Sequence, residues 1–226
     1  MLPAHSTVCF ASRATLTLVN RELPLRLAAS AQEALAQLLP VLLCGEESAA
    51  LTFARLATAG GFSRHARATL DAIANDERRH ERQLQELRQA LPPVSVDAEL
   101  QRASRRFFAR IGGRDPGMHF ARIAALDSGL CVLLGALRAP GSVLAADANL
   151  SVMFSQIHGD EARHVLASRH YACLLVGKRL AWAAGLEMRE RLVGLMSLRG
   201  DALEALGIDP DRLFERLRRV PRRLFS

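Results

Sequence analysis

Several common functional signatures are missing from this chain. Its four cysteines, Cys9, Cys44, Cys131 and Cys173, form no C-x-x-C pair, which excludes a zinc ribbon and a rubredoxin-type iron centre and gives no disulfide framework. No uncharged apolar run reaches the roughly 18 residues of a membrane span. Leu126–Leu137 comes closest and is interrupted by Asp127. The N-terminus has no basic region followed by an apolar block, the mark of a secretory signal. These absences lead us to expect a cytoplasmic protein with free thiols. Tyrosine and tryptophan occur once each, so aromatic stacking surfaces are scarce.

What is present is helical in character. Half of the 226 residues are hydrophobic, with Ala, Leu and Arg abundant, a composition unlike disordered or fibrous chains. The length suits one domain with a sizeable core. The net charge is +7, from 30 basic and 23 acidic residues, which favours an acidic partner such as nucleic acid, anionic lipid, or an acidic carrier or electron-transfer protein.

Four long segments carry a helical period. Ser30 and Glu33 have the spacing of a capping box. The helix they open places Leu35, Leu39, Leu42, Glu46, Ala49, Phe53 and Leu56 on one seam, with steps alternating between four and three. Glu47 lies about 100° off that seam. Gly60–Gly61 ends the segment. Ser63 caps a second helix with seam Ala66, Leu70, Ile73, Glu77, His80, Leu84, Leu87 and Leu91, stopped by Pro92–Pro93. A connecting segment with a short helix over 96–111 follows. Asp115–Pro116 starts a third long helix, with Phe120, Ile123, Asp127, Leu130, Leu134 and Leu137 on its stripe. The fourth, over 147–176, presents Leu150, Phe154, Ile157, Glu161, His164, Tyr171 and Leu175. Its end is blurred, because 178–198 continues in a helical pattern.

The expected fold is therefore all-α: two antiparallel helix pairs joined by a long crossover, spanning 30–198. An irregular N-terminal arm (1–29) precedes it, with strand-like alternation over 15–19. A basic tail (199–226) of one or two short helices follows, carrying Arg212, Arg216, Arg218, Arg219, Arg222 and Arg223.

Each long helix puts an acid on its apolar seam. Glu77-x-x-His80 and Glu161-x-x-His164 each offer a carboxylate and an imidazole from one helix face. Glu46 and Asp127 supply one further carboxylate apiece. Four acids and two imidazoles converging in a core need compensation, and a pair of divalent cations provides it.

This constellation resembles the ferritin-like superfamily of non-haem di-iron carboxylate proteins, over about residues 31–176. In that family the first acid is followed by Ala at +3 and an aromatic at +7, and Glu46, Ala49 and Phe53 match. The resemblance implies a ferritin-like four-helix bundle with extra C-terminal helices. It also implies two iron ions (or a Mn/Fe pair) held by Glu46, Glu77, His80, Asp127, Glu161 and His164. Asp127 departs from the family, which uses Glu there. His158, one turn before Glu161, is similar to an extra ligand of di-iron N-oxygenases, at a spacing of three rather than four. Asp76 and Asp160 are placed to orient the imidazoles of the opposite half, unless Arg79 and Arg163 pair with them instead. Tyr171, the sole tyrosine, is a redox-active or supporting candidate.

The resemblance implies an O2-dependent oxygenase or oxidase of monooxygenase type, acting on a small or carrier-bound substrate. Electrons would then come from an external donor such as a ferredoxin and its reductase. Other readings stay open: a tRNA hydroxylase of the ferritin-like class, an iron-storage ferroxidase, or a metal-free binding module. A homodimer also stays open. The crossover helix and the long tail argue against a storage shell.

Overall fold

The computed structural model describes residues 25–95, 97–113 and 115–226. The strand-like alternation over 15–19 and most of the N-terminal arm lie outside the described residues. So do His5 and Cys9. Among the described residues the fold is all-α, with no strand.

Helix α1 (Ala29–Thr58) starts two residues earlier than the Ser30 signature predicts and runs through Pro40. Its N-cap is Ala28, without a side-chain cap, so the expected capping box does not form. The entry is held differently: Arg26 N–H donates to Asp147 Oδ2 at 2.7 Å. The other oxygen of that carboxylate caps the fifth helix through Asn149 and Leu150. One buried aspartate thus joins two helix starts.

Helix α2 (Arg64–Ala90) is capped by Ser63, whose side chain accepts from Ala66 N–H. Helix α3 (Ala98–Ala109), capped by Asp97, lies within the connection to the second pair. Helix α4 (Pro116–Leu137) has the expected Asp115 cap and Pro at its start. After a 3-10 turn (Val143–Ala146) comes α5 (Ala148–Met196).

The blurred end of the fourth segment resolves at Gly177, which has φ 77° and ψ 160° inside α5. This backbone region is essentially reserved for glycine. The arm over 148–176 runs antiparallel to α4, with Cys131 facing the His158 carbonyl and Gly117 against Val176. The arm over 178–196 runs back the other way, with Ala125 near Gly185 and Gly129 against Arg189. The chain therefore reverses along α4 at Gly177.

Helices α6 (Gly200–Ala205) and α7 (Pro210–Arg218) close the chain. Leu213, Leu217, Val220, Leu224 and Phe225 of this basic segment are buried in the same core as the long helices, while its arginines remain at the surface.

The seams decide which faces are inside. Every named seam residue of α2 is buried. The α1 seam is buried except for partly covered Ala49, but Glu47 is buried as well, contrary to its off-seam position. In α5 the seam leaves the core after His164. The buried stripe instead passes through Ser168 and Ala172, both fully buried, so Tyr171 is only partly covered and Leu175 is 48 % exposed. By length and composition α1 and α4 are apolar enough to cross a membrane, although acids interrupt both. However, 67 % of each such window is buried inside the protein. The thiols also differ from expectation: Cys131 and Cys173 are free, but Cys44 is disulfide-bonded.

Candidate metal centre

Four helices bring their seam acids to one place. Glu46 comes from α1, Glu77 and His80 from α2, Asp127 from α4, and Glu161 and His164 from the first arm of α5. All six are at most 5 % exposed. Glu46, Glu77, His80 and Glu161 each offer an atom within 4.8 Å of the others, a buried group that could hold a metal ion.

The two histidines take equivalent positions. His80 Nδ1 lies 3.3 Å from Glu46 Oε2, 3.6 Å from Glu77 Oε2 and 3.4 Å from Glu161 Oε1. His164 Nδ1 lies 3.0 Å from Glu77 Oε1 and 3.6 Å from Glu161 Oε2. Glu77 and Glu161 are thus shared between the imidazoles, whose ring centroids are 6.1 Å apart. Asp127 sits beside this group, not within it. Its carboxylate feels Glu161, Glu77, His164 and Glu46.

Behind the histidines lies a second layer. His80 Nε2–H donates to Asp160 Oδ2 at 2.9 Å, and His164 Nε2–H to Asp76 Oδ2 at 3.4 Å. Each acid precedes the Glu-x-x-His motif of the opposite half. Arg79 spans the two, at 2.8 Å from Asp76 Oδ1 and 2.6 Å from Asp160 Oδ2. Arg163 also reaches Asp160, and Asp76 at 3.8 Å. The arginines therefore join the acid–histidine pairs without replacing them. With Nε2 protonated and engaged, each Nδ1 is the nitrogen free to bind a cation.

The electrostatics follow from burial without a cation. Burial pushes Glu46 well above the usual carboxylate range, partly offset by His80. Burial, reinforced by Glu161 and Glu77, does the same to Asp127. Burial would also raise Glu77, but contacts with His164, His80 and Glu46 outweigh it and hold it at about 2. Burial opposes protonation of the histidines, yet the carboxylates win: His164 rises to about 11, beside Glu161 and Glu77. His80 also rises, beside Glu161, Glu46 and Glu77. Metal-free, burial thus favours the neutral forms of Glu46 and Asp127, while the neighbouring carboxylates favour the charged imidazoles.

Several atoms facing the centre still lack a partner. Glu77 Oε1, Glu161 Oε1, Asp127 Oδ2 and His164 Nδ1 are buried with no hydrogen bond. The 3.0 Å approach of His164 Nδ1 to Glu77 Oε1 lacks hydrogen-bond geometry. Buried lone pairs without a partner are what a coordinated ion would satisfy. The donor set, carboxylate oxygens with one imidazole per side, suits hard or borderline divalent metals. Glu46, Glu77, His80 and Glu161 fit a metal ion.

Other candidates fall elsewhere. His158 is half-buried, with no ion pair or side-chain hydrogen bond to the cluster. Only its carbonyl is engaged, by Cys131. Tyr171 packs against Phe120 (5.0 Å between ring centroids) and Phe62 (5.8 Å), in an aromatic group apart from the carboxylates. Reading the sequence did not single out Arg189, which is fully buried. The available signal was its place on an apolar stripe of Ala181, Gly185, Leu192 and Met196.

An apolar cavity opens onto the cluster. Glu46, Glu77, Asp127 and Glu161 form its polar end, and residues including Leu126, Leu130, Leu133, Phe108 and Met196 form its walls. No family model, curated protein or solved structure matches the chain.

Proposed function

We propose that this chain is a ferritin-like, non-haem di-iron carboxylate protein that activates O2 to oxidise a small or carrier-bound molecule. The observation behind this reading is the two-fold arrangement of the buried cluster. Glu77 and Glu161 each face both histidines, and Glu46 and Asp127 flank them. Glu46 and His80 would hold one ion, Asp127 and His164 the other, with Glu77 and Glu161 shared. Two ferrous ions, or a Mn/Fe pair, so held would supply electrons for the reduction of O2.

The chain's own residues supply the setting. Asp160 and Asp76 keep the His80 and His164 rings in the tautomer that presents Nδ1 inward. The apolar cavity admits a small molecule and O2 to the carboxylates while excluding bulk water. Electrons would come from an external donor such as a ferredoxin and its reductase. The exposed arginines of the tail would complement an acidic donor such as a ferredoxin.

The test is anaerobic loading with ferrous iron, then exposure to O2, following O2 uptake, absorption and particle size. An oxygenase or oxidase consumes O2, keeps its iron at two ions per chain, and turns over when given an electron donor. Growth of a ferric mineral beyond that stoichiometry would make the protein a storage ferroxidase instead.

A further inference from the structure

A second cavity opens where the end of α2, the start of α3 and the 3-10 turn Ser197–Arg199 meet α1. It measures about 240 Å³, and its lining includes Gln37, Arg88, Asp97, Gln101, Ser104 and Arg199. None of the six cluster residues belongs to that lining. Three of its side chains hold a polar atom that is buried with no hydrogen-bond partner: Arg88 Nε, Ser104 Oγ and Arg199 Nε. Ser104 is only 2 % exposed, and the hydroxyl is its one polar side-chain group. Buried polar atoms are nearly always paired, so three unpaired ones around a single cavity point to a shared partner.

The chemistry of the three atoms says what that partner is. Each can donate, and an arginine Nε–H can do nothing else, so the partner is an acceptor. Charge gives its sign. Arg199 forms an ion pair with Asp97, whose other oxygen caps α3 through Glu99 and Leu100. Arg88 donates from NH1 to the Pro92 carbonyl at 3.4 Å and forms no ion pair among the described residues. The lining therefore sets two guanidinium charges against one carboxylate, and that carboxylate is already engaged. Unlike the cavity over the metal centre, with its four acids, this one favours an anion.

We propose that this cavity binds a phosphate monoester, whose three terminal oxygens accept from Arg88, Ser104 and Arg199. These donors come from three separate elements, and a tetrahedral group with three acceptor oxygens can meet donors from three sides. A flat carboxylate has only two. The volume lies just below the usual range of small-molecule pockets, which leaves room for a small organic group beside the phosphate. The amides of Gln37 and Gln101 are at hand for polar substituents on that group. The site stands apart from the di-metal reading and does not depend on it.

The experiment titrates the full chain with glycerol phosphate, inorganic phosphate and glycerol, by calorimetry and phosphorus NMR. Glycerol phosphate is expected to saturate a single site, inorganic phosphate to bind it more weakly, and glycerol not to bind. Arg88→Met and Ser104→Ala should each weaken the ester at least about tenfold, as loss of a hydrogen bond to a charged group requires. Ligand-free Ser104→Ala should keep the wild-type melting temperature, because the hydroxyl it removes has no partner in the fold. Arg102→Met removes an exposed cation of α3 outside the lining and controls for the net charge of +7. Its affinity should match the wild type. No saturable binding of the ester, or undiminished affinity in Arg88→Met or Ser104→Ala, overturns the proposal. So does an equal loss in Arg102→Met, or inorganic phosphate binding as tightly as the ester. A lowered melting temperature in Ser104→Ala would assign the hydroxyl to the fold and count against the site. Should Arg88→Met fail to fold, Ser104→Ala decides alone.

Discussion

His80, in the first Glu-x-x-His segment, donates from Nε2 at 2.9 Å to Asp160, the residue immediately before the Glu of the second. The reciprocal contact, His164 to Asp76, is longer at 3.4 Å. Each half of the chain thus orients the imidazole of the other, and the first imidazole is held more closely. Burial works against ionisation of Asp160, yet His80, Arg79 and Arg163 together hold it at about 2.

From this asymmetry, Asp160→Ala is expected to lower metal affinity at the His80 position by about 10- to 100-fold. Asp76→Ala should have a smaller effect, at the His164 position. Competition titrations with a chelating dye would measure both. Equal losses in the two variants would contradict the asymmetry.

Acid should destabilise the fold through His119, near the start of α4 and away from the cluster. Burial, aided by Arg122 and Arg55, lowers its pKa from 6.5 to about 4. Between those values the unfolded chain binds a proton that the folded chain does not. Stability from this residue is therefore present above about pH 6.5 and is lost as the pH falls toward 4, by up to about 3 kcal/mol. Denaturant unfolding of wild type and His119→Gln at pH 7 and pH 5 would show it. The variant should lose less stability on acidification, and an identical loss would count against this account of His119.

Gly177 tests the reversal of α5. A Cβ there meets nothing within 4 Å, so Gly177→Ala has only backbone strain to contend with. At φ 77° and ψ 160° that strain is expected to destabilise the fold by about 1–3 kcal/mol. Gly194→Ala, in the helical second arm and also open, should instead stabilise by up to about 1 kcal/mol. Chemical denaturation of the pair checks the sign. A stabilised Gly177→Ala would mean that α5 continues straight.

Much of this was legible in the sequence because helical period and burial coincide where a helix has neighbours along its whole length. That holds for α2, whose seam from Ala66 to Leu91 is buried throughout. The same seam logic places Asp127 and Glu161 inside. It fails where the set of neighbours changes. Tyr171 and Leu175 keep the alternating seam of α5, but after His164 the buried stripe steps by four, through Ser168 and Ala172. The reversal at Gly177 leaves no trace in periodicity, since one residue with positive φ separates two stretches that both read as helix. Arg189 sits on the stripe of the second arm, yet an arginine at such a position is usually solvated, and only its match with Gly129 on another helix shows otherwise. The Asp–His–Arg layer was readable as adjacency to the motifs, but its crossing between halves required the three-dimensional arrangement.

The central claim is that the buried cluster is a two-ion site. Its most direct test is metal content by plasma mass spectrometry after anaerobic ferrous loading and removal of free iron, with circular dichroism of each sample. The account predicts two ions per chain in the wild type, and loss of bound metal in Glu77→Ala and Glu161→Ala with helical content retained. Full occupancy in either variant, or a wild-type chain that holds no iron or manganese, would contradict it.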